Sequence, residues 1–328
     1  MKTILVTGGA GFIGSNFIKY MLDKYAEYKI INLDILTYAA NLDYLKDISD
    51  DKNYLFIKGD ITNRSLVKRI FSEYDISYVI NFAAESHVDR SINNPDVFVQ
   101  TNILGTQVLL DVAKTYWIDH LDKVYIEDTK FLQVSTDEVY GTLGETGEFT
   151  EETPLMPNSP YSASKASADM LVRAYHKTFG LPVNITRCSN NYGPHQHEEK
   201  LIPLMIKKCL LEQSLPVYGD GMQVRDWLHV ADHCKAIDLV LHNGVNGEVY
   251  NVGGSNEKTN LELVKTIIDE LDKSHSLIEH VTDRPGHDRR YAIDHSKISN
   301  ELGWYPELDF QQGINDTIAW FKKTMIRE

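Results

Sequence analysis

Tyr161 and Lys165 stand four residues apart, directly after Pro160. Proline favours the first turn of a helix, and a spacing of four puts two side chains on one helical face. A nearby ammonium favours phenolate over phenol, so the pair can act as a base. A free phenol titrates near pH 10, and moving that midpoint by one pH unit takes about 1.4 kcal/mol. Bringing it near neutrality takes roughly 4 kcal/mol, whereas an exposed ion pair supplies ~0.2–1 kcal/mol. The pair therefore works as a base only if buried, with a further positive charge close by. The competing reading is a helix carrying a surface lysine. A second candidate is Asp137-Glu138, two adjacent carboxyls that could remove one proton and donate another. Two such groups do acid–base work when their surroundings hold them in opposite protonation states.

These residues need elements that bring them together. Candidate strands are Thr3–Thr7, Lys29–Leu33, Tyr54–Lys58, Tyr78–Phe82, Lys130–Ser135 and Val183–Arg187, rich in Ile and Val, as suits strands buried on both faces. Amphipathic stretches lie between them: Ile13–Tyr25, Ser65–Tyr74, Val97–Thr115 and Tyr161–Phe179. Such alternation predicts an α/β, Rossmann-type doubly wound parallel sheet. Ligands then bind at the carboxyl ends of the strands, where Asp137 and Glu138 fall. Neighbours in a regular strand face opposite ways, so both reach one substrate only if the chain turns there. The competing reading is a capping box, Ser135-x-x-Glu138. Beyond Arg187 the rhythm weakens, through a helix at Leu201–Leu211, a loop at Gly219–Gly221, a strand at Val249–Val252 and a helix at Leu261–Leu271. This divides the chain into a sheet domain, 1–190, and a smaller substrate-binding domain, 191–328, with later segments returning to the sheet.

Thr7-Gly8-Gly9-Ala10-Gly11-Phe12-Ile13-Gly14 follows the first strand and opens the first helix. Glycines there allow a tight turn and let backbone amides approach a pyrophosphate at the helix N-terminus. Alone, the motif also reads as a packing turn. Asp34, 20 positions beyond Gly14 at the end of the second strand, stands where an acidic residue binds the adenosine ribose. Its charge repels a 2′-phosphate, so NAD is expected rather than NADP. Asp60 and Ile61, after the third strand, are expected to wall the adenine.

The glycine loop with Tyr161 and Lys165 resembles the extended short-chain dehydrogenase/reductase superfamily. Within it, the chain is similar to the 4,6-dehydratases of nucleoside-diphosphate hexoses. The likeness runs through Leu36–Ala39, Ala83–Ser91, Ser135–Gly141, Ser189–Pro194, Val224–Trp227 and Asp283–Tyr291. It implies Tyr161 as base, Lys165 orienting it, Thr136 as the assisting hydroxyl, Asp137 as acid and Glu138 as base of an elimination. In that chemistry, oxidation at sugar C4 acidifies the C5 proton, and water leaves from C6. The stored hydride returns to C6, so NAD is retained. The resemblance further implies NAD contacts from Gly8, Gly11, Phe12, Ile13, Gly14, Thr37, Ala83, Ala84, Ser86, Thr101 and Asn191. For the nucleotide sugar it implies Ser86, Thr136, Asn190, Lys200, Leu201, Pro216, Tyr218, Arg225, Asn260, Asp283, Arg284, Pro285, Gly286 and His287, with thymidine as the base. It implies a homodimer through Val97–Thr115 and Tyr161–Phe179. His195 and His197 stand where an aromatic residue is implied, and Ala40 where a glycine is. A 4-epimerase or decarboxylase on the same scaffold is the alternative; it has no need of Asp137-Glu138. A regulator that senses NAD without catalysis is a further one, and loss of Tyr161 or Lys165 would mark it.

Arg225 and the cluster Arg284, Arg289 and Arg290 could clamp a diphosphate with forked donors; a surface salt bridge competes for each. His229, His233 and Cys234 have helical spacing, yet lack a convincing further ligand, so no metal is expected. The acidic stretch Gly144–Glu152 reads as a solvated loop. The 328 residues carry a net charge of −14, against the basic face that nucleic acid requires. Three widely spaced cysteines argue against a disulfide framework. No apolar run approaches the roughly 20 residues of a membrane helix. The sequence reads as a cytoplasmic enzyme with a small-molecule substrate.

Overall fold

In the computed structural model, described for residues 2–119, 121–283 and 285–325, the first half winds strand and helix in turn. β1 (Lys2–Thr7) leads into α1 (Phe12–Lys24), then β2 (Tyr28–Asp34), β3 (Tyr54–Lys58), α2 (Arg64–Tyr74) and β4 (Ile76–Asn81). The short α3 (Val88–Asn93) and α4 (Asp96–Phe98) precede α5 (Thr106–Tyr116) and β5 (Lys130–Thr136). Next come α6 (Pro160–Phe179), β6 (Val183–Cys188), β7 (Asn190–Tyr192), α7 (Leu201–Leu210), β8 (Leu215–Tyr218), β9 (Val224–His229) and α8 (Val230–Asn243). β10 (Val249–Val252), β11 (Glu257–Thr259), α9 (Asn260–Glu270), β12 (Ile278–Val281), α10 (Ser296–Leu302) and α11 (Phe310–Met325) complete the order.

Among the described residues, seven strands form one parallel sheet in the order β3-β2-β1-β4-β5-β6-β10. The order reverses between β1 and β4, and the cleft of a doubly wound sheet opens at that switch point. Helices α1 and α8 seal one face through Phe17, Ile18, Met21, Ile237 and Val240. The other face packs on α2, α5 and α6 through Val67, Ile70, Leu109, Val112 and Val172. β10 comes from late in the chain yet closes the sheet edge against β6. The second lobe has its own core, with Ile202, Met205, Val217, Leu263, Ile267, Ile314 and Ile318 from α7, β8, α9 and α11.

Most predicted elements agree within a residue or two. The helix expected at Val97–Thr115 does not: α4 passes through a π-helical stretch, Val99–Gly105, before α5 begins. Packing explains the widened turn. A Cβ on Gly105 would lie 2.4 Å from the Ile61 side chain. Asn102 is turned inward, where it accepts from Glu85 N at 2.9 Å and donates to Glu85 O and to Ser164 Oγ. Single π turns of this kind gather at functional sites.

Candidate active site

At the carboxyl ends of β1, β2, β4 and β5 lies an open cleft of about 1660 Å³, the solvent space at its opening included. The loop from β1 to α1 forms its floor. Gly8 has φ +70°, and a Cβ there would meet Ala83 N at 2.6 Å. A Cβ on Gly14 would lie 2.5 Å from Gly8 O, so the loop closes on itself only with glycine at both positions. No side chain caps α1 at Gly11, and its first turn carries no acid. Its N–H groups and the positive end of the helix dipole therefore suit an anion. Asp34, buried at the end of β2, accepts from Ala10 N at 2.9 Å and Leu36 N at 2.8 Å. Burial raises its carboxyl, and those two amides oppose the rise. Every residue expected to contact NAD lines this cleft, from Gly8, Gly11, Phe12, Ile13, Gly14, Asp34 and Thr37 through Asp60, Ile61, Ala83, Ala84, Ser86 and Thr101 to Tyr161, Lys165 and Asn191.

α6 carries the Tyr161–Lys165 pair. Ser159 and Ser162 close a capping box with Pro160 in the first turn, and Gly180 ends the helix at φ +72°, the usual stop signal. Both side chains are buried in the cleft wall. Lys165 Nζ donates to Val134 O at 2.7 Å. Burial lowers Lys165, opposed by the charge of Asp169 one turn on. Tyr161 is pushed well above the ordinary phenol, first by burial and then by the charge of Glu138; the Thr136 hydroxyl opposes this. The protein alone thus holds Tyr161 as a phenol. To act as a base it needs a further positive charge beside it.

The chain does turn where Asp137 and Glu138 require it. β5 ends at Thr136, and a 3-10 turn, Asp137–Tyr140, follows, closed by Gly141 at φ +92°. Thr136 caps this turn, accepting from Glu138 N at 3.3 Å. The capping box of the competing reading, Ser135-x-x-Glu138, does not form: the turn starts one residue later and Thr136 caps it. Both carboxyls line the cleft. Asp137 is 1% exposed, and its carboxyl is raised well above the carboxylate range by burial, then by the charges of Glu138 and Asp226. Its Oδ1 accepts from Thr136 Oγ1 at 3.2 Å. Glu138 is only half-buried. The pair is therefore asymmetric, with Asp137 driven toward the neutral acid.

The residues expected around the nucleotide sugar fall into two groups. Ser86, Thr136, Asn190 and Lys200 line the cleft, with Lys200 Nζ donating to Ser86 O at 3.0 Å; Leu201 follows at the start of α7. The second group is not among the residues that line the cleft. Tyr218, two residues after Pro216 on β8, packs edge-on against His287, which bonds Asp283 at 2.6 Å. Gln223 Nε2 donates to Asp283, and its carbonyl accepts from Asn260 N at 2.9 Å. Pro285 and Gly286 lie in the same loop. Arg225 is buried, donates to Asp288 O at 2.9 Å and stacks on Tyr291. Its charge opposes the rise of the Asp137 carboxyl. Arg284 lies outside the described residues. The diphosphate role considered for Arg289 and Arg290 gives way to the competing one: Arg289 pairs with Asp220, and Arg290 forks onto Glu257. His233 bonds the Asn191 side chain at 2.8 Å, and His229 accepts from Ala231 N.

Glu85, Cys188, Gln196, His197 and Glu199 also line the cleft, and sequence reasoning passed over them as site residues. Arg90 donates to Glu199 at 3.4 Å, with Tyr38 stacked under the guanidinium. His195 proves structural: it stacks on Tyr44 at 4.4 Å and bonds Ser15 Oγ.

A family model described as GDP-mannose 4,6 dehydratase matches residues 5–317. A dTDP-glucose 4,6-dehydratase of Xanthomonas campestris pv. campestris is 55% identical over 98% of this chain and 93% of its own. One from Haemophilus influenzae is 51% identical over 98% of both. Among solved structures, dTDP-glucose 4,6-dehydratase from Bacillus anthracis in complex with NAD superposes with TM-score 0.90. It is 56% identical, over 99% of this chain and 98% of that one. A UDP-glucose 4-epimerase from Thermotoga maritima shares the fold, with TM-score 0.89 over 98% and 99% of the two chains, but at 29% identity. With both the carboxyl pair and the Tyr–Lys pair in one cleft, and this likeness along its whole length, the chain belongs to the dTDP-glucose 4,6-dehydratase family of the extended short-chain dehydrogenases/reductases.

Proposed function

We propose that this cleft converts dTDP-glucose to dTDP-4-keto-6-deoxyglucose. The observation that carries the reading is the asymmetric pair Asp137-Glu138 on one turn, facing the same cleft as Tyr161 and Lys165. Epimerisation at C4 needs the second pair and has no use for the first.

The cleft fits NAD. Gly8 and Gly14 leave no room for a side chain at the loop, the start of α1 is uncapped, and Asp34 sits where the adenosine ribose belongs. When bound, NAD supplies a hydride acceptor at C4 and returns the hydride at C6. Tyr161 takes the proton of the C4 hydroxyl, and Lys165, anchored on Val134 O, holds its ammonium in the same wall. Thr136 assists as a hydroxyl donor. The resulting ketone acidifies the C5 proton, which Glu138 removes and later returns to C5 when C6 receives the hydride. Asp137, kept neutral by burial, donates a proton to the departing C6 hydroxyl, and water leaves. Removing either group of such a pair typically costs 10²–10⁴-fold in rate. Ser86, Asn190, Lys200 and Leu201 would hold the sugar diphosphate. Arg225 would join them at the diphosphate, and Pro216, Tyr218, Asn260 and the loop from Asp283 to His287 would enclose the nucleoside.

On this reading residues 1–190, with β10 added, form the NAD-binding unit, and the remainder binds the nucleotide sugar. Exposed Val97, Val99 and Leu104, with Met170 and Phe179 on α6, supply an apolar face for a homodimer, which sedimentation would reveal as twice the chain mass. The three cysteines are buried free thiols, which suits the cytoplasm. Incubation with dTDP-glucose, UDP-glucose and GDP-mannose tests the reading: a 4-keto-6-deoxy product from dTDP-glucose is expected. A C4 epimer, or product only from another nucleotide, would overturn it.

A further inference from the structure

Behind the cleft, a buried chain of polar contacts runs from the oxidation helix to the elimination turn. Arg187, the next-to-last residue of β6, is 6% exposed and lies between them. Its Nε donates to Asp169 Oδ2 at 2.9 Å. Its Nη1 donates to the Tyr140 hydroxyl at 2.9 Å, and the guanidinium lies 4.9 Å from the centroid of that ring. Asp169 follows Lys165 by four residues and Tyr161 by eight on α6, so all three share one face. Tyr140 is the last residue of the 3-10 turn that begins with Asp137 and Glu138. The Tyr140 hydroxyl in turn donates to Asn251 Oδ1 at 2.8 Å on β10, and the ring stacks on Phe149.

Burying an ion pair is costly, and an apolar replacement of equal shape is often as stable. Stability is therefore a weak reason for Arg187 and Asp169 to sit here. The position of their contacts is the better one. One planar guanidinium forks to the helix with Tyr161 and Lys165 and to the turn with Asp137 and Glu138. Arginine's rigid fork fixes two acceptors at a set separation, which lysine cannot do. Asp169 also opposes the lowering of Lys165 by burial.

We propose that Arg187 is a positioning residue, held by Asp169 and Tyr140, which locks the oxidising pair and the eliminating pair in register across one sugar ring. The proposal rests on the dehydratase reading above. It gives the two contacts different consequences: the Asp169 contact sets the first step, and the Tyr140 contact sets the second. Displacing a catalytic group by about 1 Å can cost 10²-fold.

The test uses the full-length protein saturated with NAD and measures three things: reduction of the bound nicotinamide after mixing with dTDP-glucose, formation of 6-deoxy product, and KM. Tyr140→Phe removes one oxygen and keeps the ring stacked on Phe149. It should leave nicotinamide reduction near the wild-type rate, slow product formation about 10- to 100-fold, and leave KM nearly unchanged. Arg187→Lys keeps a cation for Asp169 and gives up the fork, so it should reproduce Tyr140→Phe. Asp169→Asn should slow nicotinamide reduction itself. If Arg187→Lys or Asp169→Asn does not fold, Tyr140→Phe decides alone. Equal slowing of both steps, or no change in either, would overturn the proposal and leave the cluster a packing feature. A wild-type protein that makes no 6-deoxy product would instead strike the dehydratase reading first, and the proposal with it.

Discussion

Replacing Asp137 with Asn should abolish activity and at the same time stabilise the protein. The carboxyl is 1% exposed, and burial and the charge of Glu138 raise it, with Asp226 adding to this; Thr136 and Arg225 oppose the rise. Folding therefore disfavours its ionised form. Below the ordinary carboxyl value of 3.8, folded and unfolded chains are both protonated and there is no penalty. As the pH climbs, the unfolded chain gains by ionising while the folded chain stays protonated, so the penalty grows until the raised folded value is passed. From pH 3.8 to neutrality, at about 1.4 kcal/mol for each pH unit, the penalty is capped at about 4 kcal/mol. Asparagine keeps the shape and can still accept from the Thr136 hydroxyl. Its buried amide hydrogens cost part of the gain at every pH, so about 1–3 kcal/mol of stabilisation is expected near pH 7; near pH 4 the ionisation penalty is gone and the amide cost remains, so the variant should be the less stable by about 1–3 kcal/mol. Urea unfolding of both proteins across that range, at saturating NAD, measures this as a shift in midpoint at constant slope. A variant less stable than wild type at pH 7, or a difference that does not change with pH, would refute the claim that Asp137 is held as a neutral acid.

Tyr161→Phe removes one hydroxyl from a helix whose cap and packing are untouched, so the fold should persist while nicotinamide reduction falls by about 10²–10⁴-fold; rapid-mixing absorbance reads this directly. Gly14→Ala would place a Cβ 2.5 Å from Gly8 O and 2.8 Å from Gly9 Cα. Both are backbone atoms, so the loop must shift, at about 1–3 kcal/mol. NAD should then bind roughly 10- to 100-fold more weakly in a calorimetric titration.

The sheet and the cofactor loop were legible because their signals are local. Ile- and Val-rich runs buried on both faces can only be strands of a covered sheet, and the spacing from Gly14 to Asp34 follows from one strand–helix–strand unit. The turn at Asp137-Glu138 was legible as a requirement, since two neighbours on a strand cannot serve one ligand. Its cap shifted from Ser135 to Thr136 because β5 runs one residue further. The π-helical stretch around Asn102 was not legible: its cause is the contact of Gly105 with Ile61 and the bonds of Asn102 to Glu85 and Ser164, all distant in sequence. Nor could the arginines be sorted by type. Arg225 goes inward, Arg289 pairs on the surface and Arg290 pairs half-buried, because of partners that only the fold supplies. The two- and three-stranded sheets of the second lobe consist of strands of three to six residues, too short for a clear period. β10 is equally short, and only its pairing with β6 reveals where it belongs.

One cleft holds an oxidising pair and a separate eliminating pair, and Glu138→Gln tests this division most directly. The shape is kept and the base for the C5 proton is gone, while Tyr161 and Lys165 are untouched. With dTDP-glucose and bound NAD, the reduced-nicotinamide band should rise in the variant and persist, with 6-deoxy product slowed by about 10²–10⁴-fold. Product at the wild-type rate would mean that Asp137 and Glu138 serve only to shape the turn, and the elimination account would fall.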